Sequence, residues 1–277
     1  MSFVESRDGT RIHYRVEGAE HDPGCGLLLC HPSFSCDVLW DRVRGTLAER
    51  RRVVTWDYRG HGRSEAPHDP ERYSLEAMLL DLEAVHAVAL DGRPCHLGGL
   101  SFGGTLALCA ARRSPERVRS LLLLNTGPGF RNPEAQARWE DMLGRAADKL
   151  EREGIRTYLE GRRARAELLG LAPEGSPDLE EALAAADPAA LAQFARRVAG
   201  PVPSLVDELE WIEVPSLVVV GAKDEGFLPA SHVMAGKLPR ARRVEIPDAG
   251  HVVSRDQPER LCAVLEGFLA EREGSLA

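Results

Sequence analysis

The sequence predicts an α/β fold: a mostly parallel sheet with helices on both faces and a helical insertion past its middle. Three observations carry this. Short continuous apolar runs, such as Gly26-Leu27-Leu28-Leu29-Cys30 and Val118 to Leu124, read as strands buried on both faces. Segments with helical spacing lie between such runs, and strands alternating with helices imply a parallel sheet. From about Gly127 to Ile212 the alternation stops, and Pro128, Pro133, Pro173, Pro177, Pro188, Pro201 and Pro203 punctuate helical stretches instead.

The elements follow in order. Phe3 to Glu17 reads as a hairpin, with Asp8-Gly9 as the turn and Ile12, Tyr14 and Val16 alternating. The strand at 26–30 comes next, then a helix from Asp37 to Leu47 carrying Val38, Trp40, Val43 and Leu47. Arg52 to Trp56 is a strand, and Leu75 to Leu90 a helix with Met78, Leu79, Leu82, Val85 and Val88 on one face. Cys95-His96-Leu97-Gly98 ends a buried strand, and Leu106, Ala107, Ala110 and Ala111 mark the helix after it. In the insertion, Ala135, Trp139, Met142, Leu143, Ala146 and Leu150 share a helix face, for which plain core is the simplest use. Arg162-Arg163-Ala164-Arg165 reads as a solvated helix face. Alternation resumes with a strand from Ser216 to Val220, a helix near Ala230 to Leu238, a strand from Arg243 to Ile246 and a helix from Pro258 to Leu269. The expected organisation is a core of residues 1–127 and 213–277 interrupted by a helical insertion, 128–212.

Composition narrows the function. The chain has 277 residues, 43% of them hydrophobic, and a net charge of −8 with both signs dispersed. No dense basic patch invites nucleic acid and no lysine-rich face invites an anionic membrane. No run approaches the ~20 apolar residues of a membrane span, and Met1 to Arg7 opens no signal peptide, so a cytoplasmic location is expected. Cys25, Cys30, Cys36, Cys95, Cys109 and Cys262 read as small core residues rather than a disulfide framework. Cys30, His31 and Cys36 lack a second ligand pair, so no metal is expected. Monomer and homo-oligomer both stay open.

The chemistry concentrates at Gly99-Leu100-Ser101-Phe102-Gly103. A serine between a buried strand and a helix, flanked by glycines, can be held on a sharp turn with its hydroxyl free and helix amides behind it. The plain alternative is a Gly-rich turn with an N-cap serine. A serine nucleophile needs a base, and the base an orienting acid. His251 follows the strand ending at Ile246, and Asp224 follows the strand ending near Val220. The order Ser101, Asp224, His251 is that of nucleophile-elbow enzymes, and all three lie where open α/β sheets gather ligands. Glu225 and Asp248 are rival acids; Asn125, at the end of the strand before the insertion, is an amide and cannot be one.

With these residues the chain resembles the α/β-hydrolase superfamily, in the branch with a helical cap, over nearly its whole length. His31-Pro32-Ser33-Phe34 is similar to the family's oxyanion loop, with Pro32 where glycine is usual. Asp57-Tyr58-Arg59-Gly60-His61-Gly62-Arg63-Ser64 resembles its D-x-R-G-x-G-x-S segment, which reads as structural, so His61 is not expected to be catalytic. Gly221, Asp224 and Pro229 resemble its acid loop, with a gap to the proline one residue longer. The resemblance implies an α/β-hydrolase fold, a Ser101–Asp224–His251 triad, and an oxyanion hole from the Ser33 and Phe102 amides, with Phe34 as the fallback for the first. It implies a serine hydrolase that needs no cofactor and takes a small, largely apolar ester or lactone. The alternatives are a carbon–carbon hydrolase of the ring-cleavage type, acting on a ketone, and a non-catalytic ligand-binding homologue. Halide- and epoxide-opening relatives carry aspartate in place of Ser101. The expected pocket takes Trp139, Met142, Leu143 and Tyr158 from the cap, and Phe34, Phe102, Phe227 and Val252 from the core. Packing among themselves is the plain alternative for each.

Overall fold

The computed structural model describes residues 2–18, 25–171 and 176–274. Strands β1 (Ser2–Glu5) and β2 (Arg11–Glu17) form the hairpin, where Gly9 takes φ 82° and Asp8 Oδ1 accepts the Thr10 N–H. Then come β3 (Leu27–Cys30), α1 (Asp41–Ala48), β4 (Val53–Trp56), α2 (Leu75–Ala89), β5 (Cys95–Leu100), α3 (Phe102–Arg113) and β6 (Val118–Leu124). Helices α4 (Pro133–Leu159), α5 (Arg162–Leu169), α6 (Pro177–Ala184) and α7 (Pro188–Phe194) follow. The chain closes with β7 (Ser216–Gly221), α8 (Leu228–Lys237), β8 (Ala241–Ile246), α9 (Val253–Asp256) and α10 (Pro258–Glu273).

One sheet runs in the order β1-β2-β4-β3-β5-β6-β7-β8. The pairs β1–β2 and β2–β4 are antiparallel, and every later pair is parallel. Strands β3, β4, β5 and β7 are buried along their whole length, as covering helices on both faces require. This is the α/β-hydrolase fold. The C-terminal ends of β5, β6, β7 and β8 therefore lie side by side, and Ser101, Asn125, Asp224 and His251 follow them in that order.

Between β6 and β7 no strand occurs among the described residues. Three of the punctuating prolines, Pro133, Pro177 and Pro188, turn out to start helices, where a missing N–H costs nothing; Pro173 lies outside the described residues. The expected helix from Asp37 to Leu47 divides into a tight 3₁₀ turn (Asp37–Trp40) and α1. Its first residue is tied down, because the Asp37 N–H donates to Asp57 Oδ1 at 2.7 Å. The insertion seats on the core through Phe194, whose ring stacks on Tyr58 (5.9 Å) and meets Phe102 (5.0 Å) and His61 (4.5 Å) edge to face.

The segment from Asp57 to Ser64 is a structural node. Asp57 accepts from His13 Nδ1 (2.9 Å) and the Arg63 N–H (3.0 Å), while Gly62 lies so close that a Cβ there would sit 2.3 Å from the carboxyl carbon. Arg59 makes a two-pronged pair with buried Asp81 at 2.6 and 2.7 Å. His13, Asp37 and Asp57 bring three possible metal ligands together, but Asp57 is already spent on N–H donors and Arg15 stands 3.3 Å from Asp37 Oδ2. All six cysteines are buried. Among the described residues no helix is long and apolar enough to cross a membrane.

Candidate active site

Ser101 sits between β5 and α3 at φ 54°, ψ −122°, a backbone region that costs about 1–3 kcal/mol and persists only where its surroundings enforce it. The surroundings do so through three glycines. A Cβ on Gly99 would lie 2.1 Å from the Gly103 carbonyl carbon, one on Gly103 2.2 Å from the Cys30 carbonyl oxygen, and one on Gly104 2.4 Å from the Thr126 methyl. Strand, turn and helix therefore close on one another only with hydrogen at those positions. The Ser101 N–H donates to Leu124 O at 2.9 Å, and Thr126 Oγ1 donates to Ser101 O at 2.6 Å. The half-buried serine caps no helix N–H with its side chain, and its hydroxyl makes no hydrogen bond among the described residues.

The close approach of Gly103 to Cys30 and His31 presses the start of α3 against the loop after β3. That loop is held by His31. Its Nε2 accepts the Tyr58 N–H (3.2 Å), so Nδ1 carries the proton and donates to Pro32 O (2.7 Å). Burial pulls the imidazole down to about 4, keeping it neutral. Ser33 is half-buried, and Phe34, at φ 60°, tucks its ring inside. His61 is also buried and neutral, pulled down to about 3 by burial and by His31, and its Nδ1 faces Arg59 O.

Asp224 and His251 are brought together. His251 Nδ1 lies 2.8 Å from Asp224 Oδ2, and a carboxylate only accepts, so Nδ1 carries a proton and donates it, with Nε2 at the other end of the ring. Phe227 stacks on the imidazole with centroids 4.9 Å apart. No hydrogen bond among the described residues joins Ser101 Oγ to His251; what relates them is the row of neighbouring strand ends. The rival acids point elsewhere. Asp248 takes φ 61°, is 69% exposed and pairs with Lys223 at 3.1 Å, and Glu225 is exposed.

Two contacts were not foreseen. Asn125, excluded as an acid, donates Nδ2–H to Asp224 Oδ2 at 2.7 Å. Asp256 accepts the Gly250 N–H (2.7 Å) through one oxygen and the Leu171 N–H of the insertion (2.6 Å) through the other. The signal for Asn125 was its place after a buried strand; Asp256 had none.

The side chains expected to line a pocket are placed variously. Phe34 meets Tyr158 edge to face at 6.2 Å, Val252 is wholly buried, and Phe102 and Leu143 are nearly so. Trp139 turns into the insertion itself, its indole N–H donating to Ala199 O at 2.8 Å beside Phe130. Met142 Sδ lies 3.8 Å from the exposed Arg163 guanidinium.

The sequence pattern of the alpha/beta hydrolase family matches residues 27–264. A protein of Bacillus subtilis (strain 168), provisionally named a 2-succinyl-6-hydroxy-2,4-cyclohexadiene-1-carboxylate synthase, is 30% identical, the match covering 95% of this chain and 96% of that one. A 2-hydroxymuconate semialdehyde hydrolase of Pseudomonas sp. (strain CF600) is 29% identical over 92% of this chain and 91% of its own. A thermophilic esterase of Thermogutta terrifontis superimposes with a TM-score of 0.84 at 27% identity, covering 98% of each chain.

Proposed function

Because the chain belongs to the alpha/beta hydrolase family, we propose that it is a serine hydrolase cleaving a small, largely apolar carboxylic ester or lactone through an acyl-enzyme on Ser101. The observation that carries the reading is the strained, uncapped Ser101 at the end of β5, in one row of strand ends with the hydrogen-bonded Asp224–His251 couple.

In this reading Ser101 Oγ attacks the carbonyl carbon as His251 Nε2 takes its proton. The carbonyl oxygen, now an anion, is held by the Ser33 and Phe102 amides, each worth ~3 kcal/mol in comparable sites. Collapse expels the alcohol or alkoxide, which receives the proton from His251. Water, deprotonated in turn by His251, attacks the acyl carbon and releases the acid and Ser101. Asp224 keeps the imidazole proton on Nδ1 and stabilises the imidazolium. Residues 128–212 are read as a cap over the strand ends, with Tyr158 and Leu143 facing Phe34, Phe102, Phe227 and Val252. The substrate is read as apolar because the buried arginines are already occupied. Arg44 pairs with Asp41 and Glu17, Arg51 with Glu266 and Glu273, Arg59 with Asp81 and Arg255 with Asp178.

The same triad could serve carbon–carbon cleavage, and the name of the Pseudomonas relative favours that as the second reading. One experiment separates them. Wild type and Ser101→Ala are treated with a fluorophosphonate and assayed on aryl esters of graded acyl length beside a vinylogous diketone. Labelling and ester turnover that vanish in Ser101→Ala support the proposal. Turnover confined to the diketone moves the function to carbon–carbon cleavage, and turnover that survives the substitution removes Ser101 as nucleophile.

A further inference from the structure

Asn125 is costly to keep. It takes φ 44°, in the left-handed region, at a wholly buried position just past β6. Its side-chain Oδ1 is buried with no partner among the described residues. Its backbone is already secured, the N–H donating to Val219 O at 2.8 Å. What the side chain obtains is a pair of bonds from one nitrogen: Nδ2 donates to Asp224 Oδ2 at 2.7 Å and to Gly250 O at 3.0 Å. The reversed amide would set an oxygen against a carboxylate and a carbonyl, so these acceptors fix its orientation.

Asp224 Oδ2 is also the atom that His251 Nδ1 meets at 2.8 Å. Two N–H donors thus converge on a single carboxylate oxygen, and the amide also holds the residue before the histidine. We propose that Asn125 is a positioning residue: it aims Asp224 Oδ2 at His251 Nδ1 and braces Gly250, so that the imidazole is presented to Ser101 in one tautomer and one orientation. The inference rests on the serine-hydrolase reading above. The other charged groups beside this loop are Asp256, which accepts the Gly250 N–H at 2.7 Å, and Lys223, paired with Asp248; neither is altered in the test.

The test compares wild type, Asn125→Ala and Asn125→Asp, with Ser101→Ala as control. His251 is titrated by NMR, which needs no substrate; kcat and KM are measured on the aryl ester cleaved fastest, and Tm by calorimetry. Asn125→Ala should lower kcat roughly 10- to 100-fold, the range of a hydrogen bond to a charged group, with KM little changed. Asn125→Asp, nearly the same shape, sets a second carboxylate on Oδ2. The two carboxyls must share a proton or repel, and either changes the acid that His251 Nδ1 faces, so the His251 titration should depart from the wild-type curve; this variant also keeps the test readable should the alanine variant fold poorly. A kcat loss in Asn125→Ala no larger than its loss of folded protein would overturn the proposal. So would a His251 titration that stays at the wild-type value in both variants. Ser101→Ala that still hydrolyses the ester sinks the serine-hydrolase reading instead, a result distinct from either.

Discussion

Asp224→Asn is the sharpest perturbation of the proposed triad, and the structure determines which part of the acid's work it removes. Asp224 Oδ2 accepts from both His251 Nδ1 (2.8 Å) and Asn125 Nδ2 (2.7 Å). An asparagine at 224 has one oxygen and one NH₂ group to place there. The Asn125 N–H rejects the NH₂ and selects the oxygen, which can still accept the His251 proton. The histidine tautomer is then kept, and what disappears is the negative charge. A unit-charge pair about 4 Å apart is worth about 4 kcal/mol at an effective dielectric of about 20. That charge is felt fully only once the imidazole is protonated, so the loss falls on the transition state and amounts to roughly a thousandfold in kcat. Had the amide turned its NH₂ to the imidazole, the wrong tautomer would follow and the loss would approach 10⁴, on the order seen in a comparable triad. The assay is kcat/KM on the best aryl ester, with the fluorophosphonate labelling rate of Ser101 measured in parallel. Asp248→Asn and Glu225→Gln, both exposed, should stay near wild type. A loss under about tenfold in Asp224→Asn, or a larger loss at Asp248 than at Asp224, would refute this reasoning.

Further outcomes follow from the same geometry. Arg255, wholly buried, reaches across to the insertion and pairs with Asp178 at 2.8 Å; burial pushes that carboxyl up, but the guanidinium outweighs it and leaves it below 3.8. The pair therefore stabilises above that value and fades as pH falls through it, so Asp178→Asn should lower Tm at neutral pH, and a deficit that persists undiminished in strong acid would contradict the ion-pair origin. Burial pulls His31 to about 4, His61 and His96 to about 3, from 6.5. The unfolded chain binds those protons and the fold does not, so each costs up to about 1.4 kcal/mol per pH unit below 6.5; calorimetry should show Tm falling from pH 7 to pH 5, and a flat Tm would be the contrary result. Trp139→Ala should depress Tm with acyl-chain preference intact, because its N–H serves Ala199, whereas Tyr158→Ala should shift that preference; the reverse pattern would exchange their roles.

What could be read in advance divides by the range of the interaction. Strands β3 to β7 were legible because burial on both faces writes a continuous apolar run, and the elbow because Gly99, Gly103 and Gly104 answer a local demand that no other residue meets. Asp224 was preferred to Asp248 on chain order and on the likeness of its loop to the family's acid loop, not on contacts, since both follow strands; in the structure one turns inward to His251 and the other outward to Lys223. Asn125 shows the limit most clearly. Read alone, it meant only that no acid stood after β6. Its contribution is a donor to a carboxylate 99 residues away, and donors are judged by what they face, which parallel pairing of β6 with β7 decides and local spacing does not. Asp256 joins the loop before His251 to the insertion for the same reason. Amphipathic spacing on α4 marked Trp139 and Met142 for burial without saying against what. The parts of the proposed site that depend on local backbone demands were therefore visible in the chain; of those that depend on one strand end facing another, the Asp224–His251 couple was read from chain order and resemblance, whereas the contacts of Asn125 and Asp256 were not. Substitutions at Asn125 and Asp256 are the ones for which the structure predicts an effect that the sequence alone does not.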